Sequence, residues 1–454
     1  MTTLKPYPSY RKTDLPWLGQ IPAHWETKKL KYIKAKKRFA IVDGPFGTQL
    51  GTPDYKTEGI PLIRVGNLDY FGKLSLEDVV FISEEKWLEL QRSAVEPGDI
   101  VIAKTGATIG KSGIVPKTLS KALIASSCIK ISPNHEILLS EFLTHVINTE
   151  DFQKQILDAS GGSTRDTINI TPFSNLQIVI PTLPEQRTIA AYLDHQTAKI
   201  DALIAKKERL LNLLVEQRAA LISQAVTKGL NPNVKMKNSG VAWLGKVPEQ
   251  WKFTKIKFVG QIGNGSTPLK DNTSYWDNGI FPWLTSTVVN NDIVGEPSNF
   301  VSEIALRDCH LPIVQPNSVL IAITGEGKTR GKASLLNYKA TINQHLAFIN
   351  PRQDLLKSKY LQLFLSCSYE ILRMISEGSG STKGALTCEQ LGEYPILLPP
   401  VYEQENIISY IDEKKTKIDS LAKATTTTIE RLREYRAALI SSAVTGKIDV
   451  SKTD

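Results

Sequence analysis

The sequence predicts an α+β protein in which two variable, β-rich units alternate with two long helices. Three observations support this prediction: a long stretch that contains neither Gly nor Pro, a second copy of that stretch, and a further repeat at the start of each unit. The repetition implies an internal pseudo-twofold relation, and the helices are expected to pair antiparallel as an intramolecular coiled coil. In each unit we expect a curled β-rich sheet with flanking helices.

The helical stretch runs from Glu185 to Thr227 and returns from Glu403 to Thr445, with nearly half of the aligned positions identical and no gap. Apolar residues recur at seven-residue steps, which predicts a helix with a seam; they are Leu193, Ile200, Leu214 and Leu221, then Ile411, Ile418, Leu432 and Leu439. Lys207 and Thr425 interrupt the seam at equivalent positions. There we expect the helices to splay or these side chains to point outward.

The repeat extends beyond the helices. The segment TDLPWLGQIPAHW at 13–25 returns as SGVAWLGKVPEQW at 239–251, and the segment at 162–186 returns at 380–404. Short apolar runs at 60–68, 99–106 and 175–181 predict strands, and stretches at 138–158 and 355–376 predict helices. The predicted order is a first variable unit at 1–180, a helical region at 181–230, a second variable unit at 231–398 and a second helical region at 399–454.

Composition limits the class of protein. A chain of 454 residues with 41% hydrophobic content is long enough for two or more domains. No apolar run approaches the ~18 residues that suggest a membrane span, and the polar N-terminal segment does not read as a signal peptide. We therefore expect a cytoplasmic protein with no membrane association. Cys128, Cys309, Cys367 and Cys388 are widely spaced, which favours buried thiols over disulfides or metal ligands.

Charge indicates a polyanionic partner. The net charge is +9, and seven Lys and Arg residues fall between Lys28 and Arg38. This run fits phosphate contact and a solvated face equally well. The charge alone therefore does not identify the partner.

Several stretches imitate catalytic motifs but fail on spacing. GATIGKS at 106–112 is one residue short of a phosphate-binding P-loop, and the counterpart before Lys328 has Ala322 where the first Gly is needed. The six His residues are scattered, and no cofactor-binding Gly-rich loop follows a predicted strand. We therefore expect no catalytic residue, no metal and no cofactor in this chain. A nucleotide-dependent enzyme remains an alternative only if one of these loops binds phosphate despite its spacing.

Polar, Gly-rich loops recur at equal places in both units and suit DNA contact. Gly permits close backbone approach, Ser and Thr bind phosphate oxygens, and Arg, Lys, Asn and Gln read base edges. Turns without a ligand fit these loops equally well. The candidate DNA-binding residues of the first unit are Thr48, Gln49, Arg64, Asn67, Lys104, Thr105, Thr108, Lys111, Ser163, Thr164 and Arg165. Those of the second unit are Asn264, Ser266, Thr267, Thr285, Ser286, Thr324, Lys328, Arg330, Lys332, Asn343, Gln344, His345, Ser381, Thr382 and Lys383.

The duplicated order of motifs resembles the DNA-specificity subunit of type I restriction–modification systems over essentially the whole chain. The resemblance is carried by IPTLPEQRTIAAYLD and LPPVYEQENIISYID at the helix starts, by RAALIS near the helix ends, and by the repeated WLG-x-(I/V)-P-x-x-W. It implies that each variable unit is a target recognition domain that reads one half of an asymmetric, bipartite site in double-stranded DNA. It also implies that the helices set the gap between the halves.

The resemblance further implies partners that carry the chemistry. Two methyltransferase subunits would dock on the helices and would use S-adenosylmethionine to methylate adenine. Two motor–nuclease restriction subunits would cut DNA with ATP and Mg2+. Residues proposed for docking are Glu185, Gln186, Tyr192, Arg218, Glu403, Gln404, Tyr410 and Arg436. The alternative is a coiled-coil scaffold protein with two ligand-binding domains and no role on DNA.

Overall fold

The computed structural model describes residues 5–15, 17–161, 166–325, 327–377 and 384–452. Its internal contacts divide the chain into two compact units. Unit 1 comprises Met1–Glu208 and Thr427–Asp454, and unit 2 comprises Arg209–Thr426. Each unit therefore combines one variable region with a part of each long helix.

Unit 1 is built on two four-stranded sheets. Its strands are β1 Tyr10–Lys12, β2 Gln20–Pro22, β3 Glu26–Lys29, β4 Ile41–Asp43, β5 Ile60–Ile63, β6 Val80–Ile82, β7 Ala94–Val95, β8 Ile100–Ala103, β9 Ser112–Ile114, β10 Ala122–Ile124, β11 Cys128–Ile131 and β12 Gln177–Ile180. Its helices are α1 Glu84–Glu89, α2 Ser140–Ile147, α3 Glu150–Asp158, α4 Ile170–Asn175 and the first part of α5 Leu183–Lys228. The sheet orders are β4-β11-β8-β9, which is antiparallel, and β6-β5-β10-β7, in which β5 and β10 are parallel.

Unit 2 repeats this plan. Its strands are β13 Met236–Asn238, β14 Lys246–Pro248, β15 Lys252–Lys255, β16 Gly260–Asn264, β17 Phe281–Leu284, β18 Phe300–Val301, β19 Ser318–Ala322, β20 Ala333–Leu336, β21 Thr341–Ile342, β22 Leu346–Pro351 and β23 Pro395–Leu398. Its helices are α6 Ile256–Val259, α7 Glu303–Asp308, α8 Ser358–Cys367, α9 Tyr369–Glu377, α10 Cys388–Glu393 and the first part of α11 Val401–Val444. The sheet orders β16-β22-β19-β20 and β18-β17-β21 match those of unit 1 strand for strand, and an isolated bridge between Val314 and Ala340 takes the place of β7.

The two long helices pair antiparallel within unit 1. Arg436 of α11 donates to Asp201 of α5 at 2.8 Å, and Arg433 of α11 donates to Glu208 of α5 at 2.9 Å. Residue numbers therefore decrease along α11 as they increase along α5, which is the mark of an antiparallel pair. In unit 2 the equivalent pair is Arg218 of α5 with Asp419 of α11, at 3.6 Å. In each unit, the Asp of the KID motif on one long helix therefore pairs with the first Arg of the RAALIS motif on the other.

The seam is less interrupted than the sequence suggested. Thr425 is 3% exposed in unit 2, so the expectation that it splays the helices or points outward is wrong. Threonine is short enough to face the packed interior at a seam position. Lys207, its counterpart in unit 1, is half-buried.

A buried tryptophan at the end of each WLG-x-(I/V)-P-x-x-W motif packs against the end of a long helix. Trp25 packs in the core of unit 1 with Ile440 and Val444 of α11, and Trp251 packs in unit 2 with Val226 of α5. Each helix is followed by a glycine with positive φ, Gly229 at 73° and Gly446 at 74°. This backbone ends a helix without the steric cost of a Cβ.

Two smaller predictions need correction. Cys128 is fully buried, and burial raises the pKa of its thiol to about 12, but Cys309, Cys367 and Cys388 are only partly buried. The helix predicted at 138–158 is two helices, because Thr149 caps the second one by accepting from the Phe152 N–H at 3.3 Å. Among the described residues, no helix is long and apolar enough to cross a membrane.

Candidate DNA interface

Three loops meet at the same place in each unit, beside the end of β4 in unit 1 and of β16 in unit 2. A Cβ on Gly44 would lie 2.0 Å from the Ala125 carbonyl oxygen, and one on Gly265 would lie 1.7 Å from the Ile342 oxygen. Only glycine permits this approach. The third loop joins through backbone hydrogen bonds, from Lys104 N to Ser127 O at 2.8 Å and from Ile323 N to His345 O at 3.0 Å.

In unit 2 this place carries a connected row of polar side chains. Gln344 bonds the Thr267 hydroxyl on one side and lies 3.4 Å from His345 Nε2 on the other. His345 Nδ1 lies 2.5 Å from the Thr324 hydroxyl. Gln344 and His345 are exposed, and together the row offers amide, imidazole and hydroxyl groups. Such donors and acceptors can hydrogen-bond base edges.

In unit 1 the equivalent place carries an ion cluster. Asp43 accepts from Lys104 at 3.0 Å and from Arg92 at 3.2 Å, and the side chains of Asp43 and Lys104 are mostly buried. Lys104 is therefore committed to Asp43 and is not a free cation for phosphate. Asp43, Arg92 and Ser127 are not among the DNA-binding residues that the sequence predicts. The signal was available, since Asp43 precedes Gly44 as Asn264 precedes Gly265.

Three predicted DNA-binding residues are internal and shape the loops instead. Asn67 accepts from the Arg64 N–H at 2.9 Å, Arg330 donates to the Gly384 carbonyl at 2.9 Å, and Asn343 accepts from the His345 N–H at 3.1 Å. Each is at most 5% exposed. Side chains this deeply buried cannot contact DNA in this conformation, so we correct their predicted role to a structural one.

The remaining predicted residues lie on or near the surface. Lys111 lies 5.2 Å from the centre of the Tyr70 ring, and Lys332 donates to Asn290 at 3.1 Å. Exposed or half-buried positions are held by Thr48, Gln49, Arg64, Thr105, Thr108, Asn264, Ser266, Thr285, Ser286 and Lys328. Ser163, Thr164, Arg165, Ser381, Thr382 and Lys383 lie outside the described residues.

The Glu-Gln pair at the start of each long helix forms a clamp within the chain. Gln186 accepts from Leu139 N and donates to Ile137 O and Pro181 O, at 2.8–2.9 Å. Gln404 makes the same three bonds, with Lys357 N, Leu355 O and Pro399 O. Both glutamines have no exposed surface, so their predicted docking role is replaced by an internal one.

The glutamate of each Glu-Gln pair accepts a hydrogen bond from a tryptophan. Glu185 accepts from Trp25 Nε1 at 3.1 Å and lies 2.9 Å from His24 Nε2; Glu403 accepts from Trp251 Nε1 at 3.0 Å. Burial alone would raise the pKa of Glu185, but hydrogen bonds from Thr182, His24 and Trp25 outweigh it and the pKa lies below its ordinary value.

The other predicted docking residues divide into two kinds. Arg218 and Arg436 are engaged inside the chain with Asp419 and Asp201. Tyr410 keeps an exposed ring beside the last turns of α5 in unit 2, and Tyr192 is half-buried. Tyr192, Tyr410 and Arg218, whose side chain is 34% exposed, thus have side-chain surface left for a partner.

Two units of one topology, each presenting a different polar loop surface beside a shared helical framework, define a modular recognition protein. The chain belongs to the type I restriction modification DNA specificity domain family, whose model matches residues 47–212 and 248–431. It is 22% identical over 447 residues to the type I restriction enzyme MjaIX specificity subunit of Methanocaldococcus jannaschii, covering 98% of this chain and 97% of that protein. It is 24% identical over 410 residues to the EcoKI specificity subunit of Escherichia coli, covering 87% and 83%.

Solved structures show the same fold. A chain from a study of assembly and conformational transition in a type I R-M system matches with a TM-score of 0.71 and 19% identity, over 93% of this chain and 98% of that one. The HsdS subunit from Thermoanaerobacter tengcongensis matches with a TM-score of 0.59 and 19% identity, over 94% and 98%. The protein is thus a DNA-specificity subunit, a recognition component rather than a catalytic one. These matches give no support to a scaffold without a role on DNA.

Proposed function

We propose that unit 1 and unit 2 each read one half of an asymmetric, bipartite site in double-stranded DNA. The observation that carries this proposal is the different chemistry at one topological place. Unit 2 presents the Thr267–Gln344–His345–Thr324 row, and unit 1 presents the exposed Arg92, which pairs with the mostly buried Asp43, beside Ser126 and Ser127. One backbone framework with unlike surface groups suits two unlike sequences.

We further propose that α5 and α11 set the gap between the two half-sites and dock two methyltransferase subunits, with two restriction subunits in the complete assembly. S-adenosylmethionine, ATP and Mg2+ would be used by those partners. The surface proposed for docking includes Tyr192 and Tyr410, because the glutamines and arginines of the predicted set are bonded within the chain.

The test is adenine-methylation mapping across a genome that expresses this chain together with a cognate methyltransferase subunit. The expected result is a bipartite motif that is absent when the methyltransferase subunit is expressed alone. Removing seven residues from each long helix should shorten the gap by about three base pairs, because about 10 Å of helix is lost. If the two proteins associate but produce no motif, or the shortened chain keeps the original gap, the corresponding part of the proposal fails.

A further inference from the structure

The arginine that opens each RAALIS motif lies where a recognition domain meets its helix segments. In unit 1, Arg436 is 9% exposed, bonds Asp201, and lies 4.4 Å from the centre of the Phe71 ring. In unit 2, Arg218 lies 2.7 Å from Asp292 and 3.6 Å from Asp419. Each arginine therefore links the partner helix to a loop of the variable region in its own unit.

The two loops occupy equivalent places in the fold. Each follows the turn after β5 or β17 and then runs along β9 or β20. Gly72, which follows Phe71, pairs with Gly113 of β9, and Ile293, which follows Asp292, pairs with Leu335 of β20. The same arginine position thus receives an aromatic ring in unit 1 and a carboxylate in unit 2.

The contact that Asp292 makes in unit 2 is ionic. Asp292 accepts from Lys415 of α11 at 2.5 Å in addition to Arg218 of α5, so it touches both helices. Lys359, another cation close by, acts on the same carboxylate. Phe71 in unit 1 is held differently, since the ring faces the guanidinium and its own surface is 53% exposed.

We infer that Arg436 with Phe71, and Arg218 with Asp292, are positioning residues that fix the orientation of each recognition domain on the helices and so restrict the gap between half-sites. This inference rests on the proposed bipartite reading. None of the four belongs to the loop surfaces assigned to DNA, so loosening a contact frees the domain to tilt while its sequence preference stays the same. Tilting lets one protein accept half-sites at more than one separation.

The experiment measures methylation by the complete methyltransferase complex on a duplex library with both half-sites fixed and the gap varied in single base pairs. The D292N, D292A and F71A variants are compared with the unaltered chain. We expect the ratio of methylation at a gap one base pair too long or too short, against the natural gap, to rise about five-fold or more. D292E, which restores the carboxylate, should return the ratio towards that of the unaltered chain.

Two exposed residues provide matched controls. D354N removes a surface carboxylate that pairs with Arg352 in unit 2, and F258A removes a ring that is 63% exposed. Both should keep the narrow gap preference. An unchanged preference in D292A and F71A, or a uniform loss of methylation at every gap, would overturn the inference. Failure of the unaltered chain to recognise any bipartite site would instead count against the proposed function.

Discussion

Units 1 and 2 share the hydrogen bonds that attach each variable region to its long helix, and they differ in the side chains at their loop surfaces. Gln186 and Gln404 each make three equivalent hydrogen bonds to the body of their unit, and Trp25 and Trp251 each donate to the neighbouring glutamate. At the loop surface, by contrast, unit 1 carries an ion cluster and unit 2 carries a row of polar side chains. The comparison separates the residues that build a recognition domain from those that give it a sequence preference.

The contacts of Arg436 with Phe71 and of Arg218 with Asp292, which anchor a loop to the helices, belong to neither group. The arginine is the same in both units, but its partner is Phe71 in one and Asp292 in the other. Burial would raise the pKa of Asp292, yet Lys415 and Arg218 hold that pKa below its ordinary value. The ionic anchor is therefore intact at neutral pH, and it is lost only as pH falls through that lowered pKa.

The largest expected effect tests what the units share. Q186L and Q404L replace a buried amide with an apolar side chain of similar size and leave one backbone N–H and two carbonyls without their partner. We expect each to lower the free energy of unfolding by about 3 kcal/mol or more, because an unsatisfied buried group costs ~1–3 kcal/mol. Denaturant unfolding measures this, and hydrogen exchange at Leu139 N or Lys357 N assigns it to one unit.

Q217L is the control, because Gln217 is exposed on α5 and its loss should change stability by no more than about 0.5 kcal/mol. A large difference between Q186L and Q404L would show that the two clamps are not equivalent. Values that matched the control would show that the clamps do not stabilise the units.

An intermediate effect tests where the units differ. Q344A and H345A remove adjoining members of the polar row in unit 2, and we expect each to weaken discrimination at one half-site by about 1–3 kcal/mol, or roughly 5- to 150-fold, with the other half unaffected. Binding to duplexes with single base-pair changes measures this. Q49A changes an exposed loop residue of unit 1 and should act on the opposite half only. Effects on both halves would contradict separate reading.

The framework could be predicted from the sequence because its signals are repeated and periodic. The helices predicted at 185–227 and 403–445 are found at Leu183–Lys228 and Val401–Val444. The roles of individual polar residues could not be predicted, because a Gly-rich loop contains Asn and Arg whether they point inward or outward. Lys104 meets Asp43, and Arg218 meets Asp292, only after distant segments have folded together. For the same reason the sequence predicts DNA contact for Asn67, Arg330 and Asn343, although their side chains are buried.

The smallest expected effect on stability concerns the glutamates of the two Glu-Gln clamps. W25F and W251F each remove an indole donor to Glu185 or Glu403, but Glu185 also receives hydrogen bonds from Thr182 and lies beside His24. We therefore expect W251F to destabilise its unit by about 1 kcal/mol more than W25F does, which is the net value of a typical hydrogen bond. Calorimetric unfolding at neutral pH measures the difference.

The sequence supplies the control for this difference, since Gln250 occupies in unit 2 the place of His24 in unit 1. In an H24Q background the cost of W25F should rise towards that of W251F. The difference should also shrink in acid, because the pKa of Glu185 is lowered and its stabilising contribution is lost as pH falls through that value. Equal costs in both units at neutral pH would mean that the extra donors around Glu185 add nothing, and that the two clamps are equivalent throughout.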